Sequence, residues 1–93
     1  MAKEVIKKDG TKEHFDAEKI KNSIAGAAIR TDLSEERRSE VVGRVASSVI
    51  QMAQGKEEIA TSEIREKILS ELDVIEPAVA QSWRKYEEEK REV

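Results

Sequence analysis

The sequence predicts a mainly α domain, a four-helix bundle capped by a short N-terminal β-hairpin. Three observations carry that expectation. Asp9-Gly10 stands between two short stretches with strand-forming residues, Val5-Ile6 before it and Thr11 to Phe15 after it, and Asp-Gly is a favoured hairpin turn. From Asp16 onward apolar residues recur at spacings of three and four, the period of a helix buried on one side. The 93 residues are 40% charged and 38% hydrophobic, which suits one small domain whose apolar residues are gathered into stripes.

A two-residue Asp9-Gly10 loop would set Lys8 opposite Thr11, Lys7 opposite Lys12, Ile6 opposite Glu13 and Val5 opposite His14. One face would then carry Val5, Lys7, Lys12 and His14, and the other Ile6, Lys8, Glu13 and Phe15. A lone hairpin is marginal in water, so its apolar residues must rest on the helices. Asp16 is a suitable N-cap for a first helix with Ile20, Ile24, Ala27 and Ala28 inward. Gly26 weakens that helix, and Thr31-Asp32-Leu33 ends it. Ser34 caps a second, with Glu35 and Glu36 well placed against its dipole, a stripe through Val41/Val42, Val45, Val49 and Met52/Ala53, and Gly55 as the stop. Glu58-Ile59-Ala60 reads as a third short strand. Thr61 or Ser62 caps a third helix with Ile64, Ile68/Leu69 and Leu72 inward. Pro77 fits the first turn of a fourth, which presents Val79, Trp83 and Tyr86. Its end, Arg84 to Arg91, spaces opposite charges for i,i+4 pairs Arg84–Glu88, Lys85–Glu89 and Glu87–Arg91 on a solvated face.

Several chemistries are excluded. With no cysteine there is no disulfide, no thiol nucleophile and no cysteine-based zinc site. The single histidine, His14, has no second ligand at helical spacing. Gly55-Lys56 lacks both the following Ser/Thr and the first glycine of a Walker loop, since Ile50 stands there. The carboxylates sit in charge ladders and form no catalytic pair, so the expectation is that the chain is no enzyme. No apolar run is long enough for a membrane span, which makes the cytosol the expected compartment.

Charge is unevenly placed. Residues 1–31 hold seven Lys/Arg against five Asp/Glu, a balance of +2, while residues 32–93 hold ten against fifteen, a balance of −5. The total of −3 argues against a nucleic-acid ligand, whereas a locally basic end suits a compact anion. Lys7 and Lys8 before the turn and Lys19 in the first helical turn converge beside a helix N-terminus, an arrangement that binds phosphate. Lysines on an edge strand also serve to prevent aggregation, so the pattern alone leaves both readings open.

The run Val5-Ile6-Lys7-Lys8-Asp9-Gly10, then Glu13-x-Phe15-Asp16-x-x-Lys19-Ile20, and the Thr61-Ser62-Glu63-Ile64 start of the third helix resemble the ATP-cone domain over residues 3 to 91. That domain is a nucleotide-sensing regulatory module of many ribonucleotide reductases and of the repressor of reductase genes. The resemblance implies a short sheet capping four helices, with ATP or dATP, with or without Mg2+, bound between them. It implies that Val5 packs near the base and that Lys7 and Lys8 meet the phosphates, Lys8 standing where the family usually has arginine. Glu13 and Asp16 match positions near base and ribose, and Lys19 a phosphate contact. Thr61 and Arg65 match positions across the pocket, that of Arg65 being variable in the family, and Lys90 a late basic contact. Thr61 as a plain N-cap, Glu13 as a lysine's cross-strand partner and Asp16 as a cap remain open beside these roles.

The expectation is therefore a single cone over residues 1–93, with no cysteine-bearing ribbon before it in this sequence, either free-standing or cut from a longer chain. It would sense adenine nucleotide and modulate its own association as a homo-oligomer or a regulated partner protein. The alternative is a helical protein-interaction module that keeps the cone fold without binding nucleotide.

Overall fold

A computed structural model describes the backbone of residues 4–91 and the side chains of residues 4–89. In chain order the elements are β1 (Glu4–Ile6), β2 (Lys12–His14), α1 (Ala17–Ala28), α2 (Glu35–Gln54), β3 (Glu58–Ala60), α3 (Thr61–Ile75) and α4 (Pro77–Arg91). The architecture is the expected one, mainly α with a small sheet. β1 is the central strand, antiparallel to β2 and parallel to β3.

The hairpin register differs by one residue from the two-residue-loop expectation. Glu4 faces His14, Val5 faces Glu13 and Ile6 faces Lys12. The loop is Lys8-Asp9-Gly10, closed by Lys7 N–H donating to Thr11 O at 2.8 Å and Gly10 N–H donating to Lys7 O at 2.9 Å. Gly10 takes φ of +87°, and no other described residue has positive φ, so Asp9 lacks the left-handed geometry of a type I′ turn. Asp9 serves the turn differently: its Oδ1 accepts from the Thr11 backbone N–H at 3.0 Å and from the Thr11 hydroxyl at 2.6 Å. A one-residue slip exchanges faces. Glu13 thus lies on the Val5 face, toward the helices, and Lys12 joins Ile6 on the other, where its ammonium meets Glu58 at 2.8 Å.

β3 sets Val5 beside Ile59. These two, with Ala53 of α2, form a small buried cluster beneath the sheet. The larger cluster lies between the helices, where Ile20, Ile24, Ala27 and Ala28 meet Val41, Val45, Val49, Ile68, Leu69, Leu72 and Val79. Phe15 and Ile64 pack against both clusters and join cap to bundle. Each helix packs on its sequence neighbour, and α4 closes against α1.

Asp16 caps α1 through Glu18 N–H, and Ser34 caps α2 through Arg37 N–H at 3.1 Å. Gly55 follows α2 at φ −86°, so it ends the helix without a left-handed residue. At α3 the expected cap is absent. The chain passes from β3 into the helix with no intervening residue, so the cap position falls on Ala60 and Thr61 is already helical. The junctions are tied by polar contacts: Arg37 donates to the Ile75 carbonyl at 2.8 Å, and the Ser82 hydroxyl to the Ala27 carbonyl at 2.7 Å.

Two expectations for α4 are corrected. Tyr86 is 51% exposed, and Arg30 lies 5.7 Å from its ring centroid. The expected pairs Arg84–Glu88 and Lys85–Glu89 give way to contacts with neighbouring segments, where arginines meet carboxylates across the bundle. Arg84 meets Asp73, Arg65 meets Glu87, and Arg30 meets Glu89. The Arg91 side chain lies outside the described residues.

Gly43 lies within α2, where an added Cβ would meet nothing within 4 Å. Gly43→Ala should therefore stabilise by about 0.5–1 kcal/mol, whereas Gly10→Ala should destabilise by about 1–2 kcal/mol because of its left-handed φ. Urea denaturation of the two variants reads these opposite signs. The Arg84 hydrogen bond holds the Asp73 carboxyl below the usual aspartate value. A carboxyl depressed in the folded state adds stability above its unfolded value and loses it as pH falls through the folded one. Between about pH 5 and about pH 3 the Tm of the wild type should thus fall more than that of Asp73→Asn.

Candidate functional site

Three local features converge at the sheet end of the bundle. α1 and α3 both begin there, because α3 follows directly on β3 and α1 follows β2 after two residues. Between their first turns, the inner face of β1–β2 and the middle of α4 lies a cavity of about 560 Å3. Its floor and walls are apolar where Val5, Ile20, Ile64, Ile68 and Trp83 approach, and charged at its rim. That size and character suit a small organic anion.

Each helix presents a face repeating every three or four residues. Asp16, Lys19, Ile20 and Ser23 line the cavity from α1 and its cap; Thr61, Ile64, Arg65 and Ile68 line it from α3; Trp83 and Glu87, one turn apart, line it from α4. Helix N-termini carry partial positive charge, and here two of them border one space. Asp16 spends one carboxylate oxygen on its own helix. No side chain caps α3, and the Thr61 hydroxyl is not used for that purpose.

Of the residues expected from the sequence, Val5, Lys8, Glu13, Asp16, Lys19, Thr61 and Arg65 line this cavity together. Lys7 does not. It pairs with Glu13 at 3.2 Å, and the same carboxylate oxygen lies 3.8 Å from Lys19. The corrected register accounts for this, since it places Glu13 on the helix-facing side between both lysines. Lys8, in the turn, makes no ion pair with any described residue. The Lys90 side chain lies outside the described residues.

Arg65 is held across the cavity. Its Nε and Nη2 donate to the two oxygens of Glu87 at 2.7 and 2.8 Å. That hydrogen bond raises the guanidinium above its already high ordinary value. Sequence reasoning passed over His14, Ser23, Trp83 and Glu87, which also line the cavity. Helical spacing was the available signal for Ser23, four residues beyond Lys19. Trp83 and Glu87 carried none, because which face of α4 meets the cavity follows from how that helix docks. Among the described residues, Trp83 Nε1–H is the one buried side-chain donor without a partner.

The ATP cone domain family matches residues 3–92. The chain belongs to the ATP-cone family. It is similar to the transcriptional repressor NrdR of Streptococcus suis strain 05ZYH33, 41% identical over 68 residues that make up 73% of this chain and 40% of the repressor. NrdR of Lactobacillus delbrueckii subsp. bulgaricus strain ATCC BAA-365 / Lb-18 is 37% identical over 68 residues, 73% of this chain and 43% of the repressor. NrdR of Petrotoga mobilis is 32% identical over 72 residues, 77% of this chain and 47% of the repressor. This cone therefore spans less than half the length of these relatives. Its family is regulatory and senses nucleotide. No helix of the described residues is long and apolar enough to cross a membrane.

A double-mutant cycle on Arg65→Ala and Glu87→Gln should report a coupling of about 0.5–1 kcal/mol in urea denaturation, declining in high salt because both side chains are partly exposed.

Proposed function

We propose that this ATP cone binds ATP or dATP in the cavity between sheet and helices, and passes the occupancy of that cavity to a second copy or to a regulated protein. The observation that carries the reading is the meeting of two helix N-termini, Lys8 and Lys19 with an apolar cleft closed by Trp83. A polyphosphate is served by the cations and helix ends, and a purine by the apolar walls. On this reading Lys8, Lys19 and Arg65 hold phosphates, Val5 and Ile64 border the base, and Thr61 offers a hydroxyl to the ligand. Glu13 and Asp16 lie near base and ribose, as the family resemblance implies, and Lys7 contributes indirectly through Glu13. Lys90 is kept as a late basic contact.

The cone is proposed to act as one domain over residues 1–93, in the cytosol, without catalysis. Nucleic acid is not the ligand we assign to this stretch, whose net charge is −3. Mg2+ would act with the phosphates, supplying charge neutralisation to a cavity in which Lys19 and Arg65 already face carboxylates. Regulation requires only that the ligand bind two states of the assembly unequally, by about 1–3 kcal/mol.

Calorimetry with ATP, dATP, GTP and phosphate, each with Mg2+ or with EDTA, tests the reading. Adenine nucleotides should bind more tightly than GTP, and phosphate should bind weakly. Lys19→Ala should weaken ATP binding about tenfold, the worth of one charge-assisted hydrogen bond, and Lys7→Ala less than that. Saturating ATP should raise Tm, as any ligand of the native state must. Equal weak binding of all four, or an unchanged Tm at millimolar ATP, would leave the interaction-module alternative standing.

A further inference from the structure

The last two turns of α4 are attached to the bundle differently from the rest of the molecule. Val79 and Ala80 are buried and Trp83 is partly buried, but none of the described side chains from Arg84 to Glu89 is buried. Among the described residues, three arginine–carboxylate contacts and the Arg30–Tyr86 ring contact stand in place of an apolar seam. Arg84 reaches Asp73 of α3 through two nitrogens at 3.0 and 2.8 Å. Arg65 of α3 reaches Glu87 through two at 2.7 and 2.8 Å. Arg30, just beyond α1, sets one nitrogen 3.2 and 3.1 Å from the two oxygens of Glu89. A helix end fastened by exposed ion pairs sits at the low end of local stability and loosens in salt.

Of these three contacts, the one whose two partners both line the sheet-end cavity is Arg65–Glu87. Its carboxylate offers the guanidinium the same two-oxygen geometry that a phosphate offers. An anion that seats on Arg65 must take the place of Glu87, and the displaced carboxylate then faces that anion with like charge. We infer that Glu87 is a built-in competitor for Arg65, and that an anionic ligand entering the cavity exchanges with it and thereby unfastens the last two turns of α4. The nature of the anion rests on the nucleotide reading; the fastening does not.

Hydrogen exchange followed by mass spectrometry on the full chain tests both halves. Without ligand, Glu87→Gln should speed exchange in residues 84–89 about two- to five-fold, the range expected for one exposed ion pair, and leave α1 to α3 unchanged. High salt should do the same to the wild type. Glu88→Gln, an exposed neighbour, should do neither and so controls for the loss of one negative charge. ATP added to the wild type should speed exchange in the same segment, and calorimetry should show Glu87→Gln binding ATP about two- to five-fold more tightly. Ligand-free exchange in Glu87→Gln equal to the wild type would overturn the fastening. Protection of residues 84–89 by ATP, or equal ATP affinity in Glu87→Gln and wild type, would overturn the exchange. If the wild type binds no ATP, the nucleotide reading fails, and inorganic tripolyphosphate takes its place in the same measurements. Binding of neither anion would overturn the exchange and leave the fastening decided by the ligand-free comparison.

Discussion

Val5 sits in the central strand, buried beside Ile59 and over Ala53, and the rest of the molecule is arranged around that contact. Strands of three residues have no independent stability. They persist here because Val5 and Ile59 are removed from water against α2, while Phe15 and Ile64 knit the small cluster to the large one. The parallel pairing of β1 with β3 is the step with consequences for function. It brings the start of α3 to the start of α1, though Ala17 and Thr61 lie far apart in sequence. Two helix N-termini and a set of lysines are thus collected at one end without any motif that contains them all.

The site so assembled is close to electrical balance. Lys8, Lys19 and Arg65 are matched by Glu13, Asp16 and Glu87 around one cavity. Glu13 serves Lys7 and Lys19 together, and Glu87 serves Arg65. The protein thereby holds Lys19 and Arg65 in place with its own carboxylates, while Lys8 pairs with no described residue. Any anion must then compete with internal partners, so occupancy depends on more than total positive charge. The same competition supplies a physical route from ligand to helix position, since one competing carboxylate also fastens α4.

Much of this was legible beforehand. Asp16 and Ser34 declare the starts of α1 and α2 because a side chain two or three residues from a free N–H can cap it whatever the surroundings. Ile20, Ile24, Val41, Val45 and Val49 declare the buried faces by spacing alone. Where sequence reasoning failed, the deciding energy came from elsewhere in the chain. Asp9-Gly10 suited a two-residue loop, but a three-residue loop puts Glu13 opposite Val5 and sets Glu13 and Phe15 toward the helices. Arg84 suited pairing with Glu88 along α4, but Asp73 on α3 offered a two-pronged partner.

The sequence by itself determined the number of helices, the three short strands, the inward residues of α1 to α3 and seven of the residues that meet at the cavity. The helices, strands and inward residues depend on local spacing, capping and composition, which act over a few residues. The seven cavity residues, by contrast, are read through the resemblance to the ATP-cone family. Only the tertiary structure decided that Lys7 turns to Glu13, that Thr61 is free of capping, and that Trp83 and Glu87 close the cavity. Those outcomes depend on strand register, on a strand running straight into a helix, and on how α4 docks, and each is set by packing between segments distant in the chain.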